Sequence, residues 1–86
     1  MEKQYRGIGY TKATVIVDAI GEEFGHEKFI GYIATKKEYI IATKFKGNAY
    51  GWSEYFRVLS DLIDHLREQG QHQLACDVLA QEVQDV

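Results

Sequence analysis

The spacing of hydrophobic positions changes along the chain, and the change falls near residue 53. From there Tyr55, Val58, Leu59, Leu62, Ile63 and Leu66 recur at three- and four-residue steps and form one apolar stripe. Ser53 is a good N-cap for such a stripe, Glu54 sits where the helix dipole favours an acid, and Gly70 can end the helix in a left-handed turn. The spacing therefore predicts a helix over about 53–69, followed almost at once by a second over about 71–84. So short a connection makes the two an antiparallel helical hairpin. On the second helix His72, Cys76, Leu79 and Val83 share one row, flanked by Ala75 and Ala80, while Leu74 and Val78 fall outside it. A terminal helix apolar around most of its circumference sits between two layers or packs on another chain.

The N-terminal half is richer in β-formers. Residues 29–34 and 39–45 are dense in Ile, Tyr, Thr and Phe and predict two strands. The intervening Thr35-Lys36-Lys37-Glu38 lacks Gly, Asn or Asp for a tight hairpin, which leaves the register open. One register puts Phe29, Ile33, Ile41 and Phe45 on a common face. The next pairs Ile33 with Ile40 and moves Phe45 to the other side. Residues 12–20 fit a helical face through Ala13, Ile16, Val17 and Ile20, yet Thr14-Val15-Ile16-Val17 is a β-branched run. The strand reading is preferred because a lone hairpin needs a third strand. The expected fold is thus α+β: a small antiparallel sheet of about three strands in the N-terminal half, packed against the C-terminal helical hairpin. The competing layout is a helix, a hairpin and two helices. Nothing in composition divides the chain, so residues 1–86 are read as one domain.

Composition narrows the class. The 86 residues are 45% hydrophobic and 27% charged, which suits a globular chain and not a disordered one. There is no proline, and the eight glycines are not periodic, which excludes collagen-like and proline-rich readings. A single cysteine, Cys76, makes no internal disulfide. No apolar run approaches the roughly 20 residues needed to span a bilayer, and the N-terminus leads into no signal-peptide core, so a cytoplasmic location is expected.

Charge is unevenly placed. Residues 1–52 carry two more bases than acids, and residues 53–86 carry five more acids than bases. Within 28–46 five lysines meet one glutamate. Lys28, Lys44 and Lys46 share a strand face with Tyr32 in one register, and Lys36 and Lys37 sit at the tip, a pattern suited to nucleic-acid phosphates. Against that, Ile30 and Ile40 share the face, and lysines at a sheet edge also block aggregation. The acidic helical hairpin suggests a further alternative, a polyanion mimic that inhibits a nucleic-acid-binding enzyme.

Other candidate chemistry is thin. Gly7-Ile8-Gly9 lacks the further glycine and lysine of a phosphate loop and reads as a bend or bulge. His72 and Cys76 have ligand spacing, but Cys76 on an apolar row reads as a small buried hydrophobe, so no metal is expected. No cofactor and no catalytic constellation is expected either. The ring-rich stretch 48–56 offers Tyr50 and Trp52 as contact residues, with Tyr55 and Phe56 assigned to the core. The reading is a small non-catalytic protein–protein interaction module, a regulator, adaptor or inhibitor, with Tyr50, Trp52, Leu74 and Val78 as partner-binding residues. Self-association through helix 71–84 is one form of that interaction. Nucleic-acid binding through Lys28, Tyr32, Lys36, Lys37, Lys44 and Lys46 is the alternative, and no membrane is involved.

Overall fold

Phe29-Ile30-Gly31 and Ile40-Ile41-Ala42 are buried at every position, without the alternation of a half-exposed strand. Such runs belong to strands covered on both faces, and the computed structural model shows how that arises. It describes residues 3–9, 11–20, 27–45 and 49–83; for residues 19, 20, 52, 53 and 83 it describes the backbone alone. Five strands, β1 (Gln4–Gly7), β2 (Lys12–Ile20), β3 (Lys28–Ile33), β4 (Glu38–Lys44) and β5 (Ala49–Phe56), pair in chain order and close into a barrel. Helices α1 (Leu59–Glu68) and α2 (His72–Val83) follow. Each strand is antiparallel to the next, so the odd number of strands makes the closing β1–β5 pair parallel.

The α+β class stands, but the expected three-stranded sheet does not. An open sheet of three strands would leave two edges, and closure through β1 and β5 removes most of that exposure. The strand reading of 12–20 is correct. The helix expected over 53–69 is not: β5 runs to Phe56 and α1 begins at Leu59, with Val58 at its N-cap in extended geometry and no side-chain cap. Tyr50, Gly51, Trp52, Tyr55 and Phe56 pair with β4 residues from Lys44 to Tyr39, and that long-range ladder outweighs the local cap signal of Ser53. At the other end of α1 the C-cap reading holds. Gly70 takes φ +77, its N–H reaches the Arg67 carbonyl at 3.0 Å, and the Gln71 N–H reaches Leu66 at 2.8 Å, a Schellman closure.

Two cores lie on the two faces of the barrel wall. Inside are Tyr5, Ala13, Phe29, Ile33, Ile40, Ala42 and Tyr50, with the Phe29 ring 4.8 Å from Tyr5 and 5.3 Å, edge-on, from Tyr50. Outside, Ile30 and Ile41 are covered by Leu62, Ile63 and Leu66 of α1 and Ala75 and Val78 of α2. A bulge between Val15 and Val17 lets Ile16 and Val17 both join the outer core, after which Asp18 meets Tyr5.

The β3–β4 register matches neither expected pairing. Ile30 faces Ile41 and Ile33 faces Glu38, which groups Phe29 and Ile33 with Ile40 and Ala42, and separates them from Ile41 and Phe45. The turn Ala34–Lys37 accommodates this because Lys37 takes the left-handed φ of 54° and the Lys36 N–H reaches the Ile33 carbonyl at 3.2 Å. Among the described residues, no helix is long and apolar enough to cross a membrane.

Candidate functional site

β5 is held very differently on its two sides. On one side it pairs with β4 from Lys44–Tyr50 through Tyr39–Phe56. On the other it pairs with β1 at two positions, Arg6–Ala49 and Gly7–Tyr50, extended by one bond from the Ile8 N–H to the Tyr50 carbonyl at 3.2 Å. Among the described residues no strand lies against that side of β5 from Gly51 onward. The seam is short because β1 is only four residues long and turns away at Ile8-Gly9, where Gly9 takes φ +102.

Apolar side chains gather along this strand. Ile8 (67% exposed), Phe45 (50%), Tyr55 (54%) and Val58 (53%) are the exposed large hydrophobics among the described residues. Ile8 is bonded to β5 at Tyr50, Phe45 lies against Gly51, Tyr55 belongs to β5, and Val58 follows its end. The far end of β5 is tied to α1: His65 Nε2 is 2.7 Å from Glu54 Oε2, and its ring packs against Phe56, 5.2 Å between centroids and tilted by 44°.

A polar cluster forms beside Tyr5 of the inner core. Asp18 accepts hydrogen bonds from Lys3 Nζ at 2.8 Å and the Tyr5 hydroxyl at 3.0 Å, and Lys44 Nζ lies 3.4 Å from Asp18 and from Glu27. The Lys44 ammonium also lies over the Tyr5 ring, 5.3 Å from its centroid. The Tyr5 hydroxyl, then the Asp18 and Glu27 carboxylates, hold Lys44 protonated well above its ordinary range despite partial burial. Lys44 is thus committed to an internal network.

The residues singled out from sequence are dispersed by this fold. Tyr50 is fully buried in the inner core, where burial pushes its phenol pKa up and its hydroxyl donates to the Thr11 carbonyl at 3.4 Å. Gly7, lacking a side chain, leaves room for the Tyr50 ring. Trp52 pairs through its backbone with Ala42, and its side chain lies outside the described residues. Val78 is fully buried and Leu74 half-buried in the outer core. Of the row His72–Cys76–Leu79, half-buried Leu79 joins the buried Ala75 and Val78 against the barrel, while His72 and Cys76 are exposed, so Cys76 is not the buried hydrophobe expected.

The lysines do not share a face. Lys28 and Tyr32 flank Ile30 on β3, and the helices cover Ile30; Lys44 instead turns to Asp18 and Tyr5. Tyr32 packs its ring 4.9 Å from Tyr39. Lys36 and Lys37 are exposed at the β3–β4 turn, and Lys46 lies outside the described residues. Tyr55, assigned to the core, is exposed because β5 runs past the closing seam; Phe56 does pack against the outer core. Ile8, Phe45 and Val58 were missed as surface residues. Their signals were an apolar residue between two glycines and apolar residues next to turns. Among the described residues no group of three or more His, Cys, Asp or Glu is arranged to hold a metal. Comparison with protein-family models, with curated proteins and with solved structures finds no match for this chain.

Proposed function

We propose that the protein is a non-catalytic protein-interaction module, a regulator, adaptor or inhibitor, that captures an extended segment of a partner along β5. One observation carries this reading: the barrel closes on β5 through two residue pairs with β1, and beyond them the strand continues to Phe56 with no described strand on that side. An added strand supplies main-chain hydrogen bonds for affinity, and neighbouring side chains supply specificity. Exposed edges are normally blunted by lysine or proline. β5 reads Ala-Tyr-Gly-Trp-Ser-Glu-Tyr-Phe and contains neither. The exposed Ile8, Phe45, Tyr55 and Val58 supply the apolar contacts such a segment would bury.

The test compares tagged wild-type protein with Phe45→Asp and Tyr55→Asp in capture from native lysate, with nuclease present and thermal melts as a folding control. A stoichiometric protein retained by wild type and lost by both folded variants supports the reading. Equal retention by the variants, or an empty wild-type eluate, overturns it.

A further inference from the structure

The two faces of β5 differ in charge along its open side. Glu54 pairs with Ile41 of the outer core and reaches His65 of α1; Phe56, two residues on and on the same face, packs against the His65 ring. Tyr55 pairs with Ile40 of the inner core and so lies on the other face, half exposed. The strand thus carries a carboxylate on its outer face and an accessible ring on its inner one.

Helix α1 adds charge to the outer face. α2 packs on β2 and α1 on β5, so α1 is the helix nearer the open side. Leu62, Ile63 and Leu66 face the barrel, and His65 stands on the flank that meets β5. Asp61 and Glu68 lie four residues before and three after His65, which puts them in one row with it. Both are exposed, and neither carries an ion pair among the described residues. The cations of this region are Arg67, about 200° round the helix from His65, and Arg57, exposed just past the end of β5. Glu54, Asp61 and Glu68 therefore outnumber the bases on this flank.

We propose that the segment captured by β5 is an extended stretch of a partner protein in which basic and apolar residues alternate. This rests on β5 docking as proposed above and adds the chemistry of the partner. An added strand sends successive side chains to opposite faces. Alternation therefore delivers lysine or arginine to Glu54, Asp61 and Glu68, and apolar groups to the face of Tyr55. An acidic residue beside Glu54 would instead meet a like charge, which is destabilising.

The test titrates full-length protein into four labelled peptides and follows anisotropy and amide NMR shifts. The peptides are Lys-Val-Lys-Val-Lys-Val-Lys, its Thr-Val and Glu-Val counterparts, and the block isomer Lys-Lys-Lys-Lys-Val-Val-Val. The Lys-Val peptide should shift the amides of Gly51–Phe56 and bind about ten-fold more tightly than the Thr-Val peptide, as three surface charge contacts allow. The block isomer and the Glu-Val peptide should bind more weakly than the Lys-Val peptide. Asp61→Asn combined with Glu68→Gln should cut the ten-fold preference to about two-fold with an unchanged melt, whereas Asp77→Asn on α2 should leave it intact. Equal shifts and affinities for the Lys-Val, Thr-Val and Glu-Val peptides at Gly51–Phe56 overturn the charge preference and leave β5 docking standing. A preference that survives the Asp61/Glu68 change, or falls as far with Asp77→Asn, also overturns it, as does equal binding of the block isomer. No shift at Gly51–Phe56 with any peptide overturns this proposal and counts against β5 docking itself.

Discussion

The Phe45 ring lies across Gly51: a Cβ built at Gly51 would stand 2.7 Å from Phe45 Cε2 and 3.1 Å from Cζ. The absent side chain on β5 thus forms a seat for a ring that is half exposed. Gly7 stands in a similar relation to Tyr50, whose ring atoms lie 2.9 Å from the corresponding position. There the neighbours are a fully buried ring and, at 3.0 Å, the Thr11 backbone carbonyl.

These two glycines should respond differently to the same methyl group. In Gly51→Ala the exposed Phe45 ring swings aside, and stability should change by about 0.5 kcal/mol or less, as at other surface sites. In Gly7→Ala neither Tyr50 nor the backbone has room, and overpacking should cost about 1–3 kcal/mol. Urea denaturation of both variants measures the contrast. Equal costs, or a larger cost at Gly51, would contradict the inward placement of Tyr50.

The inner core should depend on Phe29 more than on any polar contact within it. Phe29→Ala removes the ring that touches both Tyr5 and Tyr50 and should cost about 3–5 kcal/mol. Tyr50→Phe removes only a long hydroxyl contact to Thr11 and should cost about 1 kcal/mol or less. Chemical denaturation separates the two. If Phe29→Ala were as mild as Tyr50→Phe, the ring cluster would not be the centre of the barrel.

Alkaline pH should unfold the protein through identifiable groups. Lys44 and Lys3 are raised above their ordinary 10.5 by the Tyr5–Asp18 cluster, and Tyr50 and Tyr39 above 10.0 by burial. Each folded-state pKa exceeds its unfolded value, so the folded state holds more protons above pH 10. The associated stability is fully present below about pH 10 and is lost as pH rises through the folded values. The urea midpoint should therefore be flat from pH 8 to about pH 10 and fall beyond it. Lys44→Met should remove the Lys44 part of that fall and leave the tyrosine part. A midpoint that holds or rises above pH 10 would contradict the assignment.

Elements marked by local signals were legible before the fold was known. The stripe Leu59, Leu62, Ile63 and Leu66 and the Gly70 cap defined most of α1, and the β-branched run Thr14–Val17 defined β2. β1 and β5 were not legible because their evidence is long-range. β1 is too short for alternation to show, and β5 shares Tyr55 with a helical spacing that carries a local cap signal in Ser53 and Glu54. Only pairing with β4 and closure onto β1 reveals the strand. The same blindness scattered the candidate site. The ring-rich stretch was singled out, but whether a ring is buried like Tyr50 or exposed like Tyr55 depends on where the seam ends.

The most direct test of β5 docking is amide hydrogen exchange, followed by NMR, on the free protein and on its complex with the captured partner. In the free protein, alternate amides of Gly51–Phe56 should exchange quickly, because alternate residues of a strand point away from β4. In the complex those same amides should gain protection while the β4-facing ones, already bonded, change little. Protection confined to the exposed faces of α1 and α2, with Gly51–Phe56 unchanged, would contradict docking along this strand.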